Sequence, residues 1–92
     1  MWMTRPGIRP SAHGVVRMFV AKDSRMVLIN KRASESTREY IGKATRDFDT
    51  EDEWWPIVVD QDRPIYGISR VWGRGDEIPA RKGLTTLVEV LD

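Results

Sequence analysis

Apolar and polar residues alternate with a period of two in the first half of the chain, a pattern typical of half-buried β-strands. The alternation runs through residues 15–22 and again through residues 25–32. Between the two segments, Asp23 and Ser24 favour a tight turn because their side chains hydrogen-bond the nearby backbone. The pattern therefore predicts a β-hairpin with a short loop. The residues predicted to share one face of its second strand are Met26, Leu28 and Asn30.

The next segment, residues 34–48, carries two signals of a helix. Ser36 and Glu39 have the spacing of a capping box, in which each side chain satisfies a free backbone N–H group. One apolar stripe with the spacing i, i+4 and i+8 is formed by Tyr40, Ala44 and Phe48. These signals predict a helix over residues 34–48, and the alternative is a third strand over residues 40–45.

The second half of the chain favours strands again. Residues 55–60 are strand-like, but Pro56 restricts them to a sheet edge or a strand start because proline has no N–H to donate. Residues 65–72 predict a further strand in which Gly67 marks a bulge. Residues 84–91 predict the final strand.

Together these elements predict an α+β, β-rich fold: a single, mostly antiparallel sheet of about five strands with one short helix. If residues 34–48 are not helical, a small all-β barrel is the alternative. A length of 92 residues fits one domain. Two prolines and a glycine interrupt the first segment, so we interpret residues 1–13 as an N-terminal arm and residues 14–92 as a single globular domain.

Composition argues against an enzyme. The chain has no cysteine, which excludes disulfides, thiolate zinc sites and cysteine nucleophiles, and its one histidine, His13, has no evident catalytic partner. The acidic residues from Asp47 onward lack the glycine and the closing glutamate of an EF-hand loop, so we expect no metal site. We therefore expect a non-enzymatic protein without a cofactor. The apolar runs are too short to span a membrane, and we expect a cytoplasmic protein, or one in a host cytoplasm.

Charge is segregated along the chain although the formal net charge is only +1. Residues 1–46 contain ten basic and three acidic residues, whereas residues 47–62 contain seven acidic residues and no Lys or Arg. Residues 63–92 are nearly balanced. Such segregation affects which molecules a surface attracts, because complementary charge steers encounter.

The acidic run also contains adjacent tryptophans, and charge beside flat apolar area suits docking on a basic protein or nucleoprotein partner. The residues expected to carry this contact are Asp49, Glu51, Asp52, Glu53, Trp54 and Trp55. The first hypothesis is therefore a small protein that binds and modulates or inhibits a macromolecular partner. Small charge-segregated domains without cysteine are frequent among phage and mobile-element regulators.

Two alternatives remain open. Basic residues on and around the predicted first hairpin could follow a nucleic-acid backbone, which makes a nucleic-acid-binding module the second hypothesis. The residues expected to carry that contact are Arg17, Lys22, Arg25, Lys31 and Arg32. The third hypothesis is a structural subunit whose free sheet edges pair between copies. The sequence pattern leaves the oligomeric state and the identity of the partner open.

Overall fold

The computed structural model describes residues 17–91, which contain ten short β-strands and one 3-10 turn joined by turns and loops. The 3-10 turn is Glu35–Thr37. The strands, in chain order, are β1 (Phe19–Val20), β2 (Arg25–Asn30), β3 (Glu39–Ala44), β4 (Phe48–Asp49), β5 (Trp54–Trp55), β6 (Ile57–Val59), β7 (Ile65–Tyr66), β8 (Val71–Trp72), β9 (Ala80–Arg81) and β10 (Thr85–Val90).

The largest sheet contains four antiparallel strands in the order β10-β2-β3-β6. Leu28 on β2 is paired with Leu87 on one side and with Tyr40 on the other. The other six strands form three two-stranded sheets, β1–β4, β5–β9 and β7–β8. The predicted β-rich, antiparallel character is therefore confirmed. Within residues 17–91, however, there is neither a single five-stranded sheet nor a closed barrel.

The alternation predicted for the second strand is confirmed by the burial of β2. Its buried residues are Met26, Leu28 and Asn30. Val27 and Ile29, on the opposite face, are half-buried. The Asn30 side-chain oxygen accepts a hydrogen bond from the backbone N–H of Arg32 at 2.9 Å, which satisfies a polar atom inside the sheet.

The predicted helix over residues 34–48 is wrong, and the alternative strand over residues 40–45 is closer to the structure. Only the 3-10 turn is helical, and β3 follows it directly. Tyr40 and Ala44 are both buried, but on one face of a strand. A spacing of four residues fits an extended chain as well as a helix, so the apolar stripe did not distinguish the two. The start of the 3-10 turn at Ser34 has no helix-capping hydrogen bond.

The predicted first hairpin is wrong in its pairing, although its turn is present. Asp23 lies in that turn with a φ of 72°. Its backbone N–H donates to the Ala44 carbonyl at 2.8 Å, so the chain after β1 passes the end of β3. As a result β1 pairs with β4, while β2 pairs with β3 and β10. The start of the predicted hairpin, residues 15–16, lies outside the described residues.

The predicted strand over residues 65–72 is a tight hairpin instead. The Gly67 N–H donates to the Arg70 carbonyl at 2.8 Å, which closes the turn between β7 and β8. Gly67 therefore belongs to a turn rather than a bulge. A Cβ atom at this position would lie 2.5 Å from a carbon of the Trp72 ring, so the absence of a side chain lets the indole pack flat against the hairpin.

One hydrophobic core joins the main sheet to the smaller sheets. Its residues are Val20, Met26, Leu28, Ala33, Tyr40, Ala44, Phe48, Trp55, Ile57, Val59, Ile65, Trp72, Ile78 and Ala80. Pro56 separates β5 from β6, and β6 is an edge strand of the main sheet, as the proline predicted.

No helix within residues 17–91 has the length and hydropathy needed to cross a bilayer. The predicted N-terminal arm, residues 1–13 including His13, lies outside the described residues.

Candidate functional site

The acidic segment, residues 47–62, forms ion pairs with basic residues of the same chain. The Arg17 side chain donates to Asp49 at 2.9 Å, and Arg81 donates to Glu53 at 2.7 Å. The further ion pairs of this segment are Lys82–Glu51, Arg25–Asp60, Arg74–Asp60 and Arg74–Asp62. The expected negative field is therefore partly balanced inside the molecule. Since exposed ion pairs are worth only about 0–1 kcal/mol, a basic partner could still displace them.

Two of these carboxyl groups are held in their ionised form. A hydrogen bond from the Glu51 backbone N–H, together with Arg17, lowers the pKa of Asp49 below its usual range. A hydrogen bond from Arg25, together with the charges of Arg25 and Arg74, lowers the pKa of Asp60 in the same way. Asp52 uses its carboxylate locally, accepting a hydrogen bond from the Asp49 backbone N–H at 3.1 Å.

The two adjacent tryptophans have different environments. Trp55 is 7% exposed, packs on Phe48 with ring centroids 5.5 Å apart, and donates its indole N–H to the Asp52 carbonyl at 3.0 Å. Trp54 is 53% exposed. The segment therefore offers one indole to a partner rather than two, because consecutive side chains of β5 point to opposite faces.

The basic residues singled out from the sequence do not form one patch. Arg17 and Arg25 are engaged by Asp49 and Asp60. Arg25 begins β2 and Lys31 follows its end, which places their backbones about 20 Å apart for a strand of this length. Lys22 is exposed near the Asp23 turn. Lys31 and Arg32 thus lie at the opposite end of β2 from Arg25.

A different combination of arginine and tryptophan is assembled around Trp54. Trp54 and Arg81 are direct register partners across the β5–β9 pair. The Arg81 guanidinium carbon lies 4.8 Å from the centroid of the Trp54 ring, which is cation–π geometry. Glu53 holds the same guanidinium through its 2.7 Å ion pair, so the arginine is fixed beside an exposed aromatic face.

A second pair of the same kind lies on the β7–β8 hairpin. The Arg70 guanidinium carbon is 5.6 Å from the centroid of the Trp72 ring. The ring itself is 8% exposed and rests on Gly67. Arg70 is exposed at the surface of the hairpin. The first pair thus presents a cation beside an exposed ring, whereas in the second pair the cation lies over a ring that is almost entirely buried.

Three adjoining cavities connect these pairs. The central cavity, of about 300 Å³, is bordered by Trp54 and Arg81 at one side and by Trp72 and Arg32 at the other. A cavity of about 390 Å³ shares Trp54 with it and is also lined by Arg46. A third cavity, of about 340 Å³, shares Trp72 and Arg32 with the central one. We define the arginine–tryptophan groove by the six side chains along this path: Arg46, Trp54, Arg81, Arg32, Trp72 and Arg70.

The groove carries a positive charge. Within the described part of the chain, Arg32 and Arg70 have no ion-pair partner. Arg46 donates only to the backbone carbonyl of Asp47, at 3.4 Å. Of the side chains that line the three cavities within residues 17–91, Glu77 is the only carboxylate. Arg81 is balanced by Glu53, so the unbalanced cations outnumber Glu77.

Sequence reasoning found only Trp54 and Arg32 of this groove, and it placed them in two separate hypotheses. Arg46, Arg70, Trp72 and Arg81 were missed. Arg70 and Trp72 offered a weak signal because they are two residues apart and thus on one face of an extended segment. The pairing of Trp54 with Arg81 joins distant parts of the chain and has no local signal.

Comparisons of this chain with protein-family models, with curated proteins and with solved structures found no match.

Proposed function

We propose that this protein is a non-enzymatic binding module that holds single-stranded nucleic acid along the arginine–tryptophan groove. The observation that carries the proposal is that four arginine and two tryptophan side chains line three adjoining cavities. Proteins that bind single strands combine a basic path for the phosphates with aromatic rings on which bases stack. Both components are present here on one surface.

The exposed ring of Trp54 is the stacking platform of the proposal. The Trp54 indole is still 53% exposed in the folded protein, so about half of its surface is available to a flat ligand. Arg81 lies over the ring at 4.8 Å and is fixed by Glu53. A pre-positioned cation beside the ring lowers the ordering cost when a base and its phosphate bind together.

The arginines supply the phosphate contacts. Arg32 and Arg70 have no ion pair within residues 17–91, so their charge is available to an external anion. Guanidinium groups bind phosphate oxygens through two parallel hydrogen bonds.

Docking of a basic partner on the acidic segment stays a prediction. The intramolecular ion pairs of that segment make us favour the groove.

The test is fluorescence anisotropy with a labelled 12-nucleotide single strand, DNA and RNA in parallel, at several salt concentrations. With three or four phosphate contacts, the logarithm of the association constant should fall with the logarithm of the salt concentration, with a slope of about −2 to −3. Trp54→Ala should weaken binding by about 1–3 kcal/mol, the usual worth of one stacked base. Arg32→Gln should weaken binding and make the salt slope shallower.

Two variants outside the groove serve as matched controls. Phe19→Ala removes an aromatic ring that is 67% exposed on β1, and Arg63→Gln removes an exposed arginine. Neither should change binding by more than about twofold, because neither residue lines the groove. The proposal fails if no single strand binds at 20 mM salt, or if the control variants weaken binding as much as Trp54→Ala and Arg32→Gln. Binding of polyglutamate in place of nucleic acid would assign the groove to an acidic protein and overturn it.

A further inference from the structure

Two residues that line the central cavity of the groove carry buried hydrogen-bond donors that the described part of the protein does not use. The indole nitrogen of Trp72 and the Nε of Arg81 are buried, and neither has a hydrogen-bond partner within residues 17–91. Both residues line the same cavity. Leaving a buried donor unpaired costs free energy, and most proteins avoid it. Two such donors beside one cavity indicate a place for a ligand that supplies acceptors.

The rest of the cavity lining adds further hydrogen-bond donors and apolar surface. Asn30 lines the cavity, but its side-chain oxygen already accepts the backbone N–H of Arg32. Arg32 adds further N–H donors, and no carboxylate of residues 17–91 lines this cavity. Pro79 and Leu84 complete the lining with apolar surface. The cavity thus combines apolar surface with donors, and no carboxylate of residues 17–91 lines it.

We propose that the central cavity binds one nucleobase and selects bases that carry a carbonyl group on the edge they present. The inference rests on the proposed function of the groove. A ring carbonyl offers an acceptor to the N–H groups of Trp72 and Arg81. On the edge formed by N7 and the C6 substituent, a purine with a C6 carbonyl offers two acceptors. Adenine instead places its exocyclic amino donor there against donors, which leaves polar groups unpaired in a buried site. Adenine is therefore the disfavoured base.

The volume of the site fits this occupant. A cavity of about 300 Å³ is at the lower end of the range of small-molecule sites, and a single planar base is a small ligand. The two unpaired nitrogens are shielded from water in the free protein. A base in the cavity therefore bonds to them only after side chains of the lining adjust around it, as side chains commonly do on binding.

The test compares two strands that differ only in the hydrogen-bonding groups at C6 and N1 of the base. One is a 12-nucleotide strand of deoxyadenosine, and in the other every second adenine is replaced by hypoxanthine, which has a carbonyl in place of the amino group. We expect the hypoxanthine strand to bind at least about fivefold tighter, the discrimination typical of one base-edge contact. Phosphate contacts and ring size are equal in the two strands, so the ratio reports the hydrogen-bonding groups of the base.

Two variants assign the preference to the cavity. Trp72→Phe removes the indole N–H but keeps an aromatic ring, and Arg81→Lys removes Nε but keeps the charge. In both, the ratio of the two affinities should fall towards one, whatever the overall affinity. Arg63→Lys, a matched change at an exposed arginine outside the groove, should leave the ratio unchanged. Since the indole N–H of Trp72 has no protein partner within residues 17–91, its removal breaks no hydrogen bond there.

The outcomes separate the two proposals. A ratio near one in the unaltered protein, with both strands bound, overturns base selection and leaves the groove as a general single-strand site. A preference that survives both Trp72→Phe and Arg81→Lys overturns the assignment to this cavity. If neither strand binds, the proposed function itself fails.

Discussion

At the scale of single residues, Tyr40 has a buried hydroxyl group without a partner. Its side chain is 1% exposed, and its hydroxyl forms no hydrogen bond within residues 17–91. Burial also raises the pKa of Tyr40 well above its usual value, so the group stays neutral. We expect Tyr40→Phe to raise the free energy of unfolding by about 1 kcal/mol, because the desolvated hydroxyl is removed while the ring packing is kept. Urea unfolding measures the change.

Tyr66 provides the matched control for this prediction. Its side chain is 48% exposed, so its hydroxyl has access to water. Tyr66→Phe should change the unfolding free energy by less than about 0.5 kcal/mol. If Tyr40→Phe destabilised the protein by more than the control, the hydroxyl would have a hydrogen-bond partner that we have not identified.

Asp60 should make the stability of the protein depend on acid. Its carboxylate accepts hydrogen bonds from Arg25 at 2.6 Å and from Arg74 at 2.8 Å, and its pKa is lowered from the ordinary value of 3.8. Because the folded state binds the proton less readily than the unfolded state, this contribution is complete above the unfolded pKa. It is lost as the pH falls through the lowered pKa of the folded state.

The measurement is the urea midpoint of the unaltered protein and of Asp60→Asn at several pH values between 7 and 2.5. Asp60→Asn should be less stable at pH 7 and should lose less stability on acidification. Asp62→Asn, at a carboxylate whose side chain is 98% exposed, should follow the unaltered protein. Parallel pH curves for Asp60→Asn and the unaltered protein would contradict the role given to Asp60.

At the scale of the elements, β3 depends on a glycine where two neighbouring strands come close. A Cβ atom at Gly42 would lie 2.6 Å from a methyl carbon of Ile57 on β6 and 2.8 Å from one of Leu28 on β2. Gly42→Ala should therefore destabilise the protein by about 1–3 kcal/mol through overpacking. At Gly73 the nearest atom would be 3.9 Å away, so Gly73→Ala should be nearly neutral. Equal stability of the two variants would contradict this packing.

The sequence was a good guide to where extended segments lie and a poor guide to how they pair. The alternation at Met26 and Leu28 predicted β2 correctly because a period of two has no helical equivalent. The spacing of Tyr40 and Ala44 misled because it fits both periods. The partner of β1 could not be read locally, since β1 pairs with β4 across β2 and β3 in the chain.

At the scale of the whole molecule, folding removes much of the charge segregation seen along the chain. Antiparallel pairing brings Asp49 to Arg17, and loops bring Asp60 between Arg25 and Arg74. The acidic run thus supplies the counter-charges of basic residues on either side of it in sequence. A block of charge in a β-rich chain can therefore specify contacts within the fold as readily as contacts with a partner.

The arginine–tryptophan groove arises from the same long-range pairing. Arg32 follows β2, Trp54 and Arg81 meet across β5–β9, and Trp72 ends the β7–β8 hairpin. Apart from Arg70 and Trp72, which are two residues apart, neighbouring members of this path are distant in sequence, so local pattern could not reveal the groove as a whole. The acidic run still shapes the site, because Glu53 fixes Arg81 beside Trp54. Part of the negative charge that first suggested a docking surface thus positions a cation of the groove, which leaves the groove's unpaired arginines as the charge available to a ligand.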